Sequence, residues 1–184
     1  MLKLVRPPFS ANAQEQFDRP FDLAEYEAIK KLWMDHITAE HSAHIPGLMA
    51  TLTEDCEYTI LNNGQKWHGH KGATDFYQKF LGAFPENCFR VINTFIGPQG
   101  VVEEAHFDGI LTGSFMSLPV TGKPVQFHVT LMFLWDRKRK LFTGERIYFA
   151  REWSLIANMG KLLRRMAQGG GGNSDGGTEL PGLT

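Results

Sequence analysis

The sequence predicts an α+β fold in which a curved antiparallel sheet wraps around N-terminal helices. In the first part of this 184-residue chain, apolar residues recur at three- and four-residue spacing, as in amphipathic helices. Further along, the apolar period shortens to two, and long strand-like segments are joined by short turns. Helices followed by a meander of strands are typical of an α+β domain, and the concave face of such a sheet encloses a pocket.

The helices are predicted from apolar spacing and from end signals. Asp22, with Glu25 three residues later, predicts an N-cap and a capping box. The helix that follows carries His36 on its apolar stripe. A short helix restarts at Pro46, and another is expected from about residue 71 to 83.

The strands are predicted from two-residue alternation and from turn residues. The expected strand segments are 56–61, 65–67, 88–96, 101–112, 125–135 and 141–149. The last strand continues into a helix expected over about 151–166.

The two ends of the chain are predicted to differ from the central domain. Residues 1–20 contain three prolines and little periodicity, which indicates an irregular arm. Residues 21–167 form the predicted folded domain. Residues 168–184 are rich in glycine and polar residues, so we expect them to be disordered.

The composition limits the kinds of binding partner and the cellular location that are expected for this protein. A net charge of −1 and a pI near 6.7 argue against nucleic acid or an anionic membrane as the main partner. No apolar run approaches the ~20 residues of a membrane helix, and the N-terminus lacks a signal-peptide pattern. Cys56 and Cys88 lie in strand-like apolar contexts, which predicts buried, reduced thiols in a cytoplasmic protein.

The last strand, LFTGERIYF, carries polar residues on both of its faces. Alternation sends Gly144, Arg146 and Tyr148 to one face and Glu145 with its neighbours at 147 and 149 to the other. Alternation alone leaves open which face is inward. A charged or phenolic group is buried in either case.

Four segments resemble a known superfamily: WHGHKGATDFY at 67–77, FLGAFP at 80–85, DGILTGSFMSLPVTGKPV at 108–125 and ERIYFAREWSLIANMG at 145–160. The chain resembles nuclear transport factor 2, ketosteroid isomerase and the SnoaL-like polyketide cyclases over residues 22–165. The resemblance implies a cone-shaped α+β barrel with an enclosed pocket. This fold hosts enzymes and binding modules alike, so it implies the reaction only weakly.

The resemblance also implies which residues face the pocket. It places His36 where the isomerase has the tyrosine that binds the enolate. The pocket-facing strand residues that it implies are Cys56, Tyr58, Ile60, Phe127, Val129, Leu131, Gly144, Arg146 and Tyr148.

Several acidic or imidazole positions of the relatives are aliphatic in this chain. Ile60 stands where the isomerase has its aspartate base, and Leu131 replaces a second catalytic aspartate. Leu111 replaces the histidine of the cyclase GTHTG motif, and Ala150 replaces a common aspartate. These departures argue against steroid isomerisation or aldol cyclisation by the relatives' residues.

Four polar residues remain as catalytic candidates: His36, Tyr58, Arg146 and Tyr148. We expect His36 to be the base, Arg146 and Tyr58 to stabilise an oxyanion, and Tyr148 to orient the substrate or donate a proton. Scytalone dehydratase, of the same superfamily, uses histidines and tyrosines in such roles. The hypothesis is therefore a cofactor-independent lyase.

The expected substrate is a small hydrophobic or aromatic molecule. The lyase would act by elimination or by retro-aldol C–C cleavage, including formaldehyde release from a lignin-derived diaryl diol. The residues expected to line the substrate pocket are apolar or aromatic: Trp33, Met49, Trp67, Phe76, Phe107, Leu111, Phe127 and Leu131.

Alternatives stay open at this stage. Each polar candidate also suits a structural role in the core. An isomerase, cyclase or epoxide hydrolase would use a carboxylate such as Glu103 or Asp108, and a non-catalytic module would only bind a ligand. No metal site is expected, because the HxxH and HxH pairs have no nearby carboxylate in a metal-site spacing. A homo-oligomer, dimer or trimer, is expected through the outer sheet face, which carries His106 and His128.

Overall fold

The structure is a computed structural model, and it describes residues 9–116, 118 and 120–150. The predicted helix over 151–166 and the Gly-rich tail lie outside these residues. The helices are α1 Ala11–Asp18, α2 Leu23–His41, α3 Ile45–Ala50 and α4 Gly69–Ala83. The strands are β1 Leu52–Ile60, β2 Gln65–His68, β3 Asn87–Gly97, β4 Gly100–Ile110, β5 Pro124–Asp136 and β6 Leu141–Phe149.

The six strands form one curved, unclosed sheet in the order β2-β1-β6-β5-β4-β3. Strands β3 to β6 are an antiparallel meander, as predicted from their short connections. Strand β1 pairs with β6 in parallel, which the sequence did not predict. The predicted α+β architecture is confirmed.

The N-terminal segment is more regular than predicted. Residues Ala11–Asp18 form a helix, and the Ser10 side chain caps it by accepting from the Ala13 N–H. The prediction of a wholly irregular arm over 1–20 is therefore wrong for α1. Serine at the N-cap is a standard signal for the start of a helix. The prediction relied on the three prolines instead, which indicate irregular structure.

The predicted cap of α2 is confirmed, although the capping box is not completed as expected. Asp22 Oδ1 accepts the backbone N–H groups of Ala24 and Glu25. The Glu25 carboxylate instead accepts from the Trp135 indole N–H at 3.0 Å and pairs with Arg19. It therefore ties the start of α2 to the end of β5.

The helices α2 and α4 cover the concave face of the sheet, and aromatic side chains fill much of the space between. The rings of Phe107 and Phe127, on neighbouring strands, stack with centroids 4.5 Å apart. Phe76, Phe80 and Phe84 of α4 and its C-cap continue this layer. Aromatic side chains thus make this part of the interior apolar.

The last strand changes its side-chain phase at Gly144. This residue has φ +124, and a Cβ there would lie 2.0 Å from the Glu57 carbonyl oxygen of the paired strand. The ladder with β5 contains the extra residue: Phe133 and Trp135 are two apart, whereas their partners Glu145 and Phe142 are three apart. Because of this bulge, Gly144 and Glu145 are both buried, and alternation resumes with Glu145 inward.

This phase change overturns the predicted orientation of β6. Glu145 is 3% exposed, whereas Tyr148 is 49% exposed and Arg146 is also exposed. The prediction that Arg146 and Tyr148 face the pocket is therefore wrong. Strict alternation, carried through the strand from Gly144, does not account for the extra residue of a bulge.

The two cysteines differ in their exposure to solvent. Cys56 is buried as predicted, but Cys88 is exposed because β3 is the edge strand of the sheet. Within the described ranges, no helix has the length and apolar character needed to span a membrane.

Candidate active site

A buried hydrogen-bond network joins four elements at the centre of the domain. His36 of α2 and Tyr58 of β1 are fully buried, and both contact Glu145 of β6. Tyr77 of α4 joins the same group. The structure thus brings together two of the four predicted catalytic residues and adds two that were not predicted.

Three polar side chains converge on a single oxygen of Glu145. The hydroxyls of Tyr58 and Tyr77 donate to Oε1 at 3.0 and 2.9 Å, and His36 Nε2 lies 2.9 Å from it. The two hydroxyl oxygens lie 3.1 Å apart. Within the described part of the chain, Oε2 of Glu145 has no hydrogen-bond partner. One oxygen is therefore held by the protein, while the other is left for a ligand.

The two phenols are held as hydrogen-bond donors. Burial, followed by the negative charge of Glu145, raises the pKa of Tyr58 well above its usual value. The same two causes raise the pKa of Tyr77. Both hydroxyls therefore stay protonated at neutral pH, and both donate to the carboxylate.

His36 is engaged at both ring nitrogens. Nδ1 lies 2.6 Å from the Thr51 hydroxyl, and Nε2 contacts Glu145 and Tyr77. The ring packs edge-on against Phe133 and Phe142. With both nitrogens bonded within the protein, His36 has no free lone pair for a ligand in this arrangement.

A second carboxylate, Glu103 of β4, faces the interior beside this network. It is 2% exposed, and the indole N–H of Trp33 donates to its Oε2 at 3.0 Å. Burial raises the pKa of Glu103 to about 7; the Trp33 hydrogen bond opposes this rise, and the charge of Glu145 adds to it. A group with this pKa exchanges protons readily near neutral pH.

A third carboxylate, Glu40, lies near the end of α2. Burial raises its pKa well above the usual value, and the charges of Glu145 and Glu103 add to the rise. No hydrogen bond to the Glu40 carboxyl is formed by the residues that the structure describes. The raised pKa favours the protonated form of this carboxyl, which can donate a hydrogen bond.

Two neighbouring spaces lie along these carboxyl groups. The outer cleft, of about 360 Å³, runs between α2 and the strands β3 and β4 and includes Glu40, Phe89 and Glu103 in its walls. The inner cavity, of about 20 Å³, is bounded by Glu145 and by apolar side chains. Glu40 and Phe89 border both spaces, and this shared border is termed the neck.

The predicted lining residues fall into three groups. Phe76 and Leu131 border the inner cavity, and Trp33 reaches the outer cleft through its bond to Glu103. Phe107, Leu111 and Phe127 are buried in the core. Met49 and Trp67 pack against the core, and within the described chain neither borders the two spaces.

The outer face of the sheet carries the remaining candidates. Asp108 accepts from His106 and Gln126, and the His106 and His128 rings lie 5.0 Å apart. Asp108, one of the two alternative catalytic carboxylates, thus lies away from both spaces, whereas Glu103 borders the outer cleft. No cluster of three metal-ligating side chains is found in the parts of the chain that the structure describes.

One local signal for the missed residues was present in the sequence. Trp33, His36 and Glu40 are spaced three and four apart, so they share one face of α2. A carboxylate on an otherwise apolar stripe indicates a functional interior. The sequence offered weaker support for a functional role of Glu145 and Tyr77, because the residues around each of them are also typical of a hydrophobic core.

The comparisons with known proteins agree with this architecture. The chain belongs to the SnoaL-like polyketide cyclase family, whose sequence profile matches residues 28–139. This assignment confirms the resemblance to the nuclear transport factor 2-like superfamily. The family points to a cofactor-independent role of the cyclase or isomerase type. Among curated proteins, no sequence matches this chain significantly.

Solved structures with the same fold come from several bacteria. A proposed SnoaL-like polyketide cyclase from Jannaschia sp. CCS1 has a TM-score of 0.65 and 16% identity, covering 76% of this chain and 98% of its own. A proposed polyketide cyclase from Xanthomonas campestris pv. campestris has a TM-score of 0.62 and 17% identity, with coverages of 72% and 98%. A protein with a ketosteroid isomerase-like fold from Catenulispora acidiphila DSM 44928, solved in complex with trimethylamine, has a TM-score of 0.54 and 12% identity, with coverages of 65% and 85%.

Proposed function

We propose that this protein is a cofactor-independent acid–base enzyme in which Glu145 is the base. The observation that carries the proposal is the position of Glu145 in the wall of an apolar cavity, with two tyrosine hydroxyls and a histidine nitrogen bonded to one oxygen. A base must be held in place and must keep one oxygen free for the substrate proton. Oε2 meets the second requirement, and the bonds to Oε1 meet the first.

The leading reaction class is elimination, which makes the protein a lyase. Glu145 Oε2 takes a proton from carbon, the electron pair forms a C=C bond, and the adjacent hydroxyl leaves. Glu103, protonated below its pKa of about 7, gives its proton to that hydroxyl, which departs as water. Two carboxyl groups in different environments supply the acid and the base that elimination needs.

Retro-aldol cleavage uses the same two groups. Glu145 takes the proton of a hydroxyl group, the neighbouring C–C bond breaks and a carbonyl product forms. The carbanionic carbon then receives the proton of Glu103. When the hydroxyl is on a terminal carbon, the product is formaldehyde. In a lignin-derived diaryl diol, the electron pair of the broken C–C bond forms a C=C bond instead, and the second hydroxyl takes the proton of Glu103 and leaves as water.

The roles proposed for the other residues follow from their contacts. His36, Tyr58 and Tyr77 position Glu145 and stabilise its negative charge, and they act through it. Glu40 stands at the neck between the two spaces, and the protonated form that its raised pKa favours is suited to donate to an oxygen of the substrate. Arg146 has no role in this proposal, since it points away from the cavity.

The cavities favour a small, largely apolar substrate. A volume of about 360 Å³ lies at the lower end of the range for small-molecule sites. The inner cavity of about 20 Å³ has room for little more than one water-sized group. We infer that the body of the substrate lies in the cleft and that its reactive end passes the neck.

An isomerase or cyclase is the second candidate, and the family match favours it. In that reaction Glu145 takes a proton from one carbon and returns it to another, so no leaving group is required. The difference between the candidates therefore lies in Glu103. Elimination depends on its proton, whereas simple proton transfer through Glu145 does not.

The test is a panel of small aromatic β-hydroxy carbonyl compounds incubated with the protein in D₂O. Mass spectrometry and NMR would detect deuterium at the acidic carbon and the loss of water or formaldehyde. We expect both with the wild-type protein. Glu103→Gln should keep the exchange and lose the elimination. Ligand binding with neither exchange nor product would instead support a non-catalytic binding module.

We also propose that the protein forms a homo-oligomer through the outer sheet face. Phe95, Val102 and Met132 occupy neighbouring register positions there, and Phe95 is 66% exposed. Contiguous apolar side chains on a sheet face are typical of an interface. Light scattering should give a dimer or trimer that Phe95→Glu dissociates, while Phe21→Glu, at another exposed phenylalanine, leaves it intact. A monomeric wild-type protein would contradict this proposal.

A further inference from the structure

We propose that Thr51 is a positioning residue that fixes a hydrogen on Nδ1 of His36, so that His36 and Glu145 share a second proton through Nε2. The inference rests on the proposed function only for its kinetic consequence. The hydrogen-bond geometry carries it independently of any substrate.

The Thr51 hydroxyl has a single proton to donate. Thr51 Oγ1 donates this proton to the Leu48 carbonyl oxygen at 2.7 Å, because a carbonyl can only accept. Toward His36, Oγ1 therefore offers a lone pair. Nδ1 lies 2.6 Å from that oxygen, so Nδ1 must carry the hydrogen.

The other ring nitrogen of His36, Nε2, lies close to two oxygens. Nε2 lies 2.9 Å from Oε1 of Glu145 and 2.9 Å from the hydroxyl of Tyr77. The single proton of Tyr77 goes to Oε1. A bare Nε2 would thus point a lone pair at a carboxylate oxygen, which is repulsive at this distance. A proton between Nε2 and Oε1 removes the conflict.

The surroundings favour a positive charge at this position. The titratable groups around the ring come from every element packed against it: Tyr77 of α4, Tyr58 of β1, Glu103 of β4, Glu145 of β6 and Glu40 of α2 itself. None of them is basic. Within the described residues, no lysine or arginine joins the network by a hydrogen bond or an ion pair.

The consequence is that His36 and Glu145 act as one unit. When Glu145 Oε2 takes a proton from the substrate, the proton between Nε2 and Oε1 moves toward His36, and the added charge is shared. Thr51 makes this possible because it prevents the ring from adopting the tautomer with a bare Nδ1. A lone histidine base, by contrast, would need one nitrogen free for the substrate.

The wild-type protein without substrate provides the first test. In ¹⁵N-labelled protein, long-range ¹H–¹⁵N spectra report the protonation of each ring nitrogen of His36, which His36→Gln assigns. We expect protons on both nitrogens at neutral pH, with Nε2–H shifted far downfield by Glu145. An unprotonated Nε2 or Nδ1 would overturn the inference. Protonation of both nitrogens in a protein without activity would sink the proposed function alone.

Thr51→Val provides the second test, because valine has the same shape and accepts no hydrogen bond. We expect loss of the slowly exchanging Nδ1–H signal and a pH dependence of turnover that differs from that of the wild type. We expect kcat to fall about tenfold with little change in KM, as for the loss of one buried hydrogen bond. Thr51→Ser should restore both readouts.

Thr53→Val is the matched control, since Thr53, two residues after Thr51 and within β1, is also buried and is not a partner of His36. It should leave the His36 signals and the pH dependence of turnover unchanged. If Thr51→Val fails to fold, Thr51→Ser and the wild-type spectra still decide the matter. Wild-type signals and a wild-type pH profile in Thr51→Val would refute the positioning role.

Discussion

The Nε2 atom of His36 lies 2.9 Å from Oε1 of Glu145, although 109 residues separate the two in the chain. This contact ties the N-terminal helix α2 to the last described strand, β6. It exists because the bulge at Gly144 turns Glu145 inward, toward a helix face that already carries His36. The site therefore depends on a backbone feature of the sheet as well as on its side chains.

Gly144→Ala is expected to destabilise the protein strongly. A Cβ at this position would meet the Glu57 carbonyl oxygen at 2.0 Å, and alanine rarely adopts φ +124. Strain of this kind costs about 3 kcal/mol, which lowers the melting temperature by on the order of 10 °C in a domain of this size. Thermal unfolding followed by circular dichroism measures the change.

Gly82→Ala is the matched control for this variant. Gly82 lies in α4 with open space where the Cβ would be placed. Alanine there is expected to stabilise the helix by roughly 0.5–1 kcal/mol. A Gly144→Ala protein as stable as the wild type would show that the bulge does not need glycine.

Glu103 is expected to make stability fall as the pH rises. Its pKa in the folded protein is about 7 against an ordinary value of 4.5, so the folded state binds the proton more tightly. The contribution of Glu103 to the free energy of unfolding is fully present below about pH 4.5 and is lost as the pH rises through about 7. At most about 3 kcal/mol is involved.

Glu103→Gln tests this dependence, because glutamine is neutral and still accepts from Trp33. The variant should match the wild type near pH 5 and unfold at a higher temperature than the wild type at pH 8. Glu104→Gln, on the opposite face of the same strand, should keep the wild-type pH dependence. Equal stability of Glu103→Gln and wild type at pH 8 would show that Glu103 does not titrate as described.

Trp33→Phe is expected to raise the pKa of Glu103 above 7. The indole N–H donates to Glu103 Oε2 and so favours the ionised carboxylate; phenylalanine has no such donor. A ¹³C NMR titration of the Glu103 carboxyl measures the shift. If Glu103 is the acid, the decline in elimination rate at high pH should move upward by the same amount.

Trp67→Phe serves as the control, since Trp67 also donates its indole N–H to a carboxylate, in this case Asp75 at 3.2 Å. It should leave the Glu103 titration unchanged. A Glu103 titration that is the same in Trp33→Phe and wild type would mean that the indole bond does not act on its ionisation.

The order and type of most elements could be predicted from the sequence, because apolar period and turn residues are local signals. The helix expected over 71–83 is α4, Gly69–Ala83, and the strand expected over 88–96 is β3, Asn87–Gly97. The parallel pairing of β1 with β6 was not predicted, since it joins segments that are distant in the chain. Residue periodicity does not report such partners.

The candidate site was predicted only in part, for the same physical reason. His36 and Tyr58 follow from their positions on an apolar helix face and an inward strand face. The inward turn of Glu145 depends on one extra residue at Gly144, and alternation gives no signal of that residue. The raised pKa of Glu103 depends on its burial beside Glu145, which only the folded chain creates.

The most direct test of the account compares Glu145→Gln with Arg146→Gln. These neighbours on β6 face opposite sides of the sheet, and each variant replaces a charged side chain with the same neutral one. The measurement is enzyme-catalysed deuterium exchange into the best substrate of the panel, with circular dichroism to verify folding. We expect Glu145→Gln to lose about 10²-fold or more and Arg146→Gln to stay within about threefold of wild type. Full activity in Glu145→Gln, or a large loss confined to Arg146→Gln, would contradict the assignment of Glu145 as the base.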